Sequence, residues 1–399
     1  MHRTTPNPAY YRPEHIELQD TLRRFVAKEI SPYVNDWDEA GEFPRELYEK
    51  AARIGLLGIG FPDAYGGVED VDMFHRLICS LELARCGAGG VVSSLMSHTI
   101  GAPPIAHAGS DALKARVLPG ILAGRRISAL AITEPGGGSD VAALRTSAMR
   151  DGDHYVVNGE KVFITSGMRA DHYTVAVRTD AHAQGAKGLS LLLVDGDTPG
   201  LSKTPLKKMG WWASDTAHLR FDDCRVPAAN LIGPEGGGFA LVMQNFNLER
   251  FSLAASALGF AQVCYEDALD WARQRRTFGQ RVADHQVIRH KLVDMATRIG
   301  ATRAWLEQCA WQIDHVDRRA PELVATICML KNFATQTMQF CADAAVQILG
   351  GMGYMRGTRP ERIYREVKVN MIGGGAEEIM KDLAARQLES SRLLKSASF

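Results

Sequence analysis

The segment HYVVNGEKVFIT, residues 154–165, decides how the chain is divided, because it interrupts a pattern that is helical on both sides. Its apolar residues alternate with polar ones, and a period of two is typical of a strand with one buried face. Asn158 and Gly159 lie at its centre. This dipeptide is favoured in type I′ hairpin turns, where both positions need a positive φ. The segment therefore predicts two strands joined by a two-residue turn.

Three later segments continue the strand pattern: HYTVAVRT, GLSLLLVD and AHLRFDDCRVP. Each is short and is bounded by turn-forming residues, as strands of a compact β domain are. Together with the first segment they predict a β domain over residues 127–235.

Helical periodicity flanks this β domain. Apolar residues recur at helical spacing from about Pro13 to Leu122, which predicts a helical domain over residues 1–126. The same spacing returns over residues 236–399, in segments long enough for a bundle of long helices. The fold class is thus α+β, in the order α, β, α. The predicted long helices run from Phe239 to Arg273, from His285 to His315, from Pro321 to Leu349, and onward from Ala376.

The composition excludes several classes of function. Lys+Arg and Asp+Glu both number 46, and the basic residues form no tract of the kind that binds nucleic acid or an anionic membrane. No run approaches the 18 apolar residues of a membrane span, and the first residues lack the apolar region of a signal peptide. The seven cysteines are scattered, with no pair at metal-binding spacing, so no metal site is predicted. A reducing compartment is expected: the cytoplasm, or the mitochondrial matrix if a transit peptide has been removed.

A glycine-rich loop, AITEPGGGSD at residues 131–140, follows an apolar run. Three consecutive glycines let backbone amides approach a ligand closely, and Thr133 and Ser139 add hydroxyl groups. The loop lacks the Gly-Lys-Ser/Thr ending of a P-loop and the spacing of a dinucleotide-binding fingerprint. It is therefore either a ligand-binding loop of another type or a flexible connection.

Glu249 and Arg250 are the only charged residues between Gly236 and Tyr265. A helix with so little charge is mostly buried, and a buried charge is costly unless it has a partner or a function. Adjacent helical residues point about 100° apart, so the two side chains do not simply neutralise each other. Each either meets an opposite charge on a neighbouring helix or belongs to a functional site.

Two further segments are rich in glycine or in basic residues. ARQRRTFGQRVADHQ, residues 272–286, offers Arg275 and Arg276 to a phosphate and Phe278 to a ring, or is simply a solvated helix end. AVQILGGMGYMRGTRPERIYREVKVN, residues 345–370, runs into MIGGGAEEIM, residues 371–380. Its glycines either end a helix or allow another backbone to approach.

Taken together and in this order, these segments resemble the acyl-CoA dehydrogenase family from about Pro13 to Gln387. AITEPGGGSD resembles its flavin and substrate loop, VNGEKVFITSG its second flavin strand, RRTFGQ its pyrophosphate-binding segment, and QILGGMGY the stretch that contacts the adenosine half. The resemblance implies a helical N-terminal domain, a central β barrel and a C-terminal four-helix bundle. It also implies bound FAD and a homotetramer, a dimer of dimers in which each subunit completes its neighbour's FAD site.

The resemblance assigns expected roles to individual positions. Asn247 stands where the family often has an aspartate, and Phe163 where it often has a tryptophan. The residues expected to line the flavin in the same subunit are Ile132, Thr133, Gly138, Ser139, Phe163, Thr165, Gly375, Ala376 and Glu378. Those expected to reach a neighbour's cofactor are Arg275, Phe278, Gln286, Gln347 and Gly351. Acyl-CoA is expected at Ser139, Asn247 and Arg250.

The expected reaction is desaturation of an acyl-CoA thioester. In the family a carboxylate removes the α-proton while the β-hydrogen leaves as hydride to the flavin, and electrons pass to electron-transferring flavoprotein. Many members carry that base in a C-terminal Tyr-Glu-Gly sequence, where this chain has Gly373, Gly374 and Gly375. Other members, among them the isovaleryl and long-chain enzymes, carry it on the long helix immediately before an arginine. Glu249 is therefore the predicted base, and Gly374 leaves room for it.

Two alternatives keep the same fold. The missing C-terminal glutamate is compatible with a catalytically silent acyl-CoA or flavin-binding relative. The second alternative is an oxygen-using relative, although acyl-CoA oxidases are typically much longer and nitroalkane oxidase keeps an aspartate where this chain has glycine. The acyl group is left open, because the segment SSLMSHTIGAPP, residues 93–104, does not reveal which side chains face the ligand.

Overall fold

The computed structural model describes residues 9–183 and 185–391 of the chain. The first part is helical, as predicted, and ends where the sheet begins. A single π-helical turn, Val26–Ile30, follows its first helix. The helices are α1 (Pro13–Phe25), α2 (Val34–Ala40), α3 (Glu46–Arg53), α4 (Met73–Ala84), α5 (Gly89–Leu95), α6 (His98–Gly101), α7 (Pro103–Ala108) and α8 (Asp111–Leu122).

The central part is one mixed sheet of eight strands. The hydrogen-bonded path runs β6-β7-β3-β2-β4-β5-β8, and β1 pairs in parallel with β4. Side chains alternate between a buried and a more exposed face along β3 and β7, so one face packs into the core. The strands are β1 (Ser128–Ala131), β2 (Ser147–Asp151), β3 (His154–Thr165), β4 (His172–Arg178), β5 (Leu189–Asp195), β6 (Leu201–Pro205), β7 (Thr216–Pro227) and β8 (Leu231–Ile232).

The predicted hairpin turn at Asn158 and Gly159 is wrong. Strand β3 runs straight through both residues, and its pairing with β7 shifts register there, which is a β-bulge. The turn between β2 and β3 lies earlier, at Gly152 and Asp153. Gly159 has a φ of 140°, and a Cβ on it would lie 2.7 Å from the Cα of Thr146. The glycine therefore allows a close approach of two backbones rather than a change of direction.

The four predicted long helices are present, each starting and ending within one residue of the predicted limits where these were given. A fifth, α13, was not predicted, although Thr358 caps it by accepting a hydrogen bond from the backbone N–H of Glu361. The C-terminal elements are α9 (Gly238–Gln274), β9 (Arg276–Thr277), β10 (Gln280–Arg281), α10 (Gln286–His315), α11 (Pro321–Leu349), α12 (Gly351–Tyr354), α13 (Arg359–Ile372) and α14 (Glu377–Ser390).

Helix α9 lies at the centre of the molecule, packed against α4, α10, α11 and α13. Its buried positions are mostly alanine, glycine and other small or apolar residues, which let four helices approach one another closely. The order of helical, β and helical parts is confirmed. The domain limits after residues 126 and 235 stay predictions. None of the described helices is long and apolar enough to cross a membrane.

We expect Gly159→Ala to destabilise the protein more than Gly152→Ala. Both residues have a positive φ, which costs alanine about 1 kcal/mol or more. At Gly152 an added Cβ meets nothing within 4 Å, whereas at Gly159 it clashes with Thr146 and adds a further 1–3 kcal/mol, roughly. Urea unfolding of the two variants measures the difference. Equal losses would show that the bulge accommodates a side chain.

Candidate active site

Glu249 lies midway along α9 and carries a carboxyl group without a hydrogen-bond partner. Its Oε2 atom is buried, and no donor reaches it in the described part of the chain. Burial raises the pKa of Glu249 to about 7, and the nearby charges of Arg250 and Lys331 oppose that rise. A carboxyl with a pKa near neutrality and a free oxygen can accept a proton from a ligand.

The glycine turn, residues 373–375, lies directly beside this carboxyl group. A Cβ on Gly374 would be 3.8 Å from Glu249 Oε1 and only 2.8 Å from Leu253 Cδ1. Gly374 and Gly375 also have φ values of 67° and 115°, which favour glycine. The two positions considered for a base in the sequence, Glu249 and residue 374, therefore lie next to each other in space. Only one of them carries an acid here.

Arg250 binds the glycine turn instead of a carboxylate. Its side chain is only 6% exposed, and its Nε donates to the carbonyl of Gly374 at 2.9 Å. Its Nη1 donates to Asn247 Oδ1 at 3.1 Å. Within residues 9–183 and 185–391, no acidic group is within ion-pair distance of Arg250, and no basic group is within that distance of Glu249. The alternative in which each meets an opposite charge on a neighbouring helix is therefore wrong for the described structure.

Lys331, on α11, also binds this region, at the end of α13 and at the last residue of the turn. Its side chain is fully buried, and its Nζ donates to the carbonyls of Met371 at 3.0 Å and Gly375 at 2.8 Å. Burial lowers the pKa of Lys331 to about 8. The sequence analysis did not single out this residue. A signal was present, since a lysine in the apolar run ICMLKNFA is the same kind of exception as Glu249.

The loop at residues 131–140 is anchored by an ion pair that the sequence analysis also missed. The Glu134 carboxylate accepts hydrogen bonds from Lys161 Nζ at 2.8 Å and from the backbone N–H groups of Arg145 and Thr146. Burial raises the pKa of Glu134, but the Lys161 charge and these hydrogen bonds outweigh it and hold the pKa below its usual value. Lys161 also donates to the carbonyl of Ile132 at 2.9 Å. Its position on the buried face of a strand was the available signal.

Beyond this anchor the loop is open. Gly138 and Ser139 are exposed, and a Cβ on Gly136 would meet nothing within 4 Å. The backbone N–H of Val162 donates to the carbonyl of Thr133 at 2.8 Å, which joins the loop to the end of β3. There Phe163 is 69% exposed at a φ of 62°. An exposed ring beside a small-residue loop fits a flat heteroaromatic ligand with phosphates.

Phe278 is the most exposed large apolar side chain of the described residues, at 97%. It forms a two-residue turn with Gly279 between β9 and β10, and their φ values are 50° and 80°. Among the described aromatic rings it pairs with His285, perpendicular to that ring, with the ring centroids 6.2 Å apart. Because the ring stabilises almost nothing in its own subunit, its exposure points to a contact outside that subunit.

The remaining candidate residues lie at helix ends. Gln286 begins α10, Gln347 lies in the last turn of α11, and Gly351 begins α12; all three are exposed, as is Arg275. Among the described hydrogen bonds, none joins these residues to the loop at residues 131–140. Ala376 caps α14, and Glu377 and Glu378 lie in its first turn, as predicted. Asn247 and Thr165 are half-buried.

One cluster elsewhere has metal-binding ligand types. His15 Nε2, His75 Nδ1 and Asp72 Oδ1 lie between 2.8 and 3.3 Å from one another. The backbone N–H of Arg12 donates to His15 Nδ1, so the ring proton of His15 is on Nε2, the nitrogen that a metal would need. Asp72 also caps α4 and binds the Arg12 guanidinium. The cluster is therefore a hydrogen-bonded cap.

Comparison with known proteins agrees with this geometry. Family models of acyl-CoA dehydrogenase match the chain in three parts: the N-terminal domain at residues 12–125, the middle domain at 129–224 and the C-terminal domain at 236–389. The cyclohexane-1-carbonyl-CoA dehydrogenase of Geobacter metallireducens is 37% identical over 375 residues, which are 93% of this chain and 96% of that protein. The mitochondrial long-chain specific acyl-CoA dehydrogenase of Rattus norvegicus is 38% identical over 379 residues, 94% and 87% of the two chains.

Solved structures show the same likeness. The crystal structure of a probable acyl-CoA dehydrogenase from Mycobacterium abscessus superposes with a TM-score of 0.91 at 43% identity and covers 95% of this chain and all of that one. The chain belongs to the acyl-CoA dehydrogenase family of flavoprotein oxidoreductases.

We expect Lys161→Met to cost about 3–5 kcal/mol of stability, because it leaves the Glu134 carboxylate buried without its cation. The double variant Glu134→Gln with Lys161→Met should recover part of this loss, since no unpaired charge is left. Urea unfolding measures both, and the exposed Lys207→Met is the matched control. No loss in the single variant would show that the pair does not anchor the loop.

Proposed function

We propose that this chain is an FAD-dependent acyl-CoA dehydrogenase that converts an acyl-CoA thioester to the trans-2-enoyl-CoA, with Glu249 as the base. One observation carries the proposal: Glu249 Oε2 is buried without a partner, beside the space left by Gly374. Burying such a group is costly, and the cost is explained if a ligand proton is its missing partner.

The α-proton of a thioester is weakly acidic, so the base that removes it must be strong at neutral pH. Burial gives Glu249 a pKa of about 7, well above that of an exposed carboxylate. The proton moves from the substrate α-carbon to Glu249. Bound FAD would accept the β-hydrogen as hydride. Arg250 keeps the glycine turn in place by holding the carbonyl of Gly374, and so keeps the approach to Glu249 open.

The residues of the open loop and of β3 fit FAD. Exposed glycines allow backbone approach, and the ring of Phe163 is free to stack. In this proposal the flavin contacts are Ile132, Thr133, Gly138, Ser139, Phe163, Thr165, Ala376 and Glu378, and acyl-CoA contacts Ser139, Asn247 and Arg250. Arg275, Phe278, Gln286, Gln347 and Gly351 reach the cofactor of a neighbouring subunit in a homotetramer. The 97% exposure of Phe278 supports that last assignment.

Electron-transferring flavoprotein is the proposed electron acceptor. The chain has Gly374 at the position where nitroalkane oxidase keeps an aspartate, which argues against that oxygen-using relative. The names of the relatives include a cyclic and a long-chain acyl group, so a substrate panel has to contain both kinds beside short and branched ones.

We expect Glu249→Gln to bind FAD and acyl-CoA but to lose flavin reduction by several orders of magnitude, on the order of 10³-fold or more, because the proton acceptor is gone. The measurement is anaerobic bleaching of the flavin absorbance by each acyl-CoA of the panel. In the unchanged protein the rate should fall as the pH drops below about 7, because protonated Glu249 cannot act as a base.

Glu266→Gln, on the same helix but paired with Arg85, is the matched control and should reduce flavin normally. Normal reduction in Glu249→Gln would reject Glu249 as the base. An unchanged flavin spectrum in the unmodified protein with every acyl-CoA would instead favour the silent relative. Rapid reoxidation by oxygen in place of the flavoprotein acceptor would favour an oxidase.

We expect Phe278→Ala to weaken FAD retention without changing the unfolding of a single subunit, since the ring is almost wholly exposed there. FAD loss on dilution, followed by flavin fluorescence, tests this, and Met149→Ala, an exposed apolar residue of β2, is the control. Unchanged retention would contradict the assignment to a neighbouring cofactor site.

A further inference from the structure

Lys331 is a buried charged residue near Glu249 to which the proposed reaction assigns no role. It is fully buried in α11, and its ammonium group meets no carboxylate within ion-pair distance in the described residues. Its partners are two carbonyl oxygens, those of Met371 and Gly375. Neutral carbonyls compensate a buried cation less well than a carboxylate does, so the position is costly unless the charge has a function.

One carbonyl lies at the end of α13 and the other in the glycine turn that follows it, next to Gly374, which borders Glu249. Lys331 binds Met371, in the last turn of α13, and Gly375, the last residue of the glycine turn, while Arg250 binds the carbonyl of Gly374 between them. Two buried cations on different helices thus fix the glycine turn. The only carboxyl that lies beside this turn with a free buried oxygen is Glu249, among the residues described.

We propose that Lys331 is a positioning residue for Glu249: it fixes the glycine turn and supplies a buried positive charge that keeps the Glu249 carboxyl ionised. The inference rests on the proposed role of Glu249 as the base. Lys331 does not touch the reacting atoms in this account.

The positive charge of Lys331 lowers the pKa of Glu249. Burial raises the pKa of Glu249, and the positive charges of Arg250 and Lys331 lower it, so the pKa of about 7 includes their contribution. Without Lys331, Glu249 would be protonated at a higher pH. Since only the ionised form accepts a proton, an upward shift of one unit reduces the ionised fraction about tenfold at a pH well below the pKa.

Other titratable groups lie near this site on α9, α11, α13 and α14. Arg250 on α9, Cys328 on α11 and Glu377 on α14 all interact with Lys331. Lys368 on α13 acts on Glu377, whose carboxylate is bound by Gln336 and Lys381. Glu377 is thus held by partners of its own and is not among the charges that act on Glu249, which are Arg250 and Lys331.

The test compares three substitutions in the FAD-loaded enzyme. Lys331→Gln keeps donors for the turn carbonyls but loses the charge, Lys331→Met loses both, and Lys331→Arg keeps the charge. The protonation of Glu249 is titrated directly by infrared difference spectroscopy of the protonated carboxyl band, with Glu249→Gln as the blank. The pH profile of flavin reduction by an acyl-CoA is recorded in parallel.

We expect the Glu249 midpoint to rise in Lys331→Gln, with up to about a tenfold loss of flavin reduction at low pH for each unit and a high-pH plateau close to that of the unmodified enzyme, about threefold at most below it. In Lys331→Met the plateau should fall as well, because the turn is no longer held. Lys331→Arg should keep the original midpoint. Lys208→Gln is the matched control: Lys208 is a half-buried lysine that binds Thr216 and does not act on Glu249.

The charge role is overturned if the infrared midpoint of Glu249 is unchanged in Lys331→Gln and Lys331→Met. If only one of these variants folds, an unchanged midpoint in that variant is enough. A plateau in Lys331→Met equal to that of Lys331→Gln would overturn the role in holding the turn. Failure of the proposed function is distinguishable from both: Glu249→Gln would then still reduce flavin, while the infrared titration would still report the effect of Lys331.

Discussion

The arrangement of the site depends on one constraint: a carboxyl group is buried in an apolar helix with an oxygen that no donor satisfies. Such a group is unfavourable for the folded protein, so the surrounding structure has to tolerate it without neutralising it. It does so with Arg250 and Lys331, which lie near enough to influence its pKa but donate their hydrogen bonds to backbone carbonyls and to the side chain of Asn247. The carboxyl oxygen remains available to a ligand because the nearby donors are engaged elsewhere.

Helix α9 makes this possible through its composition. Its buried positions are largely alanine and glycine, which bring α4, α10, α11 and α13 close to its axis. The buried Oε2 atom of Glu249 is out of reach of water, so it depends on what the neighbouring elements provide. What they provide here is a turn of three glycines, whose backbone carbonyls accept hydrogen bonds and whose missing side chains leave space.

Much of the fold and of the candidate site could be predicted from the sequence, and the features that were predicted wrongly or missed have physical explanations. The long helices were predictable because their apolar periodicity extends over many turns, and Glu249 because an isolated acid in an uncharged helix is conspicuous. The Asn-Gly turn was mispredicted because a glycine that permits close backbone contact has the same sequence signal as one that permits a turn. The partners of Glu134 and Lys331 are distant in sequence or are backbone atoms. No local pattern therefore identifies them.

The glycine turn and the acid on α9 depend on each other, because Glu249 lies next to the space that a side chain at residue 374 would occupy. A side chain at residue 374 would need a φ that favours glycine, and its Cβ would lie 2.8 Å from Leu253 Cδ1 and 3.8 Å from Glu249 Oε1, so this position disfavours a side chain in front of Glu249. An acid on the turn would also lie close to Glu249, and two like charges in a dry site raise each other's pKa. The same geometry that excludes the side chain therefore also keeps a second negative charge away from Glu249, and a single buried carboxyl can titrate near neutrality.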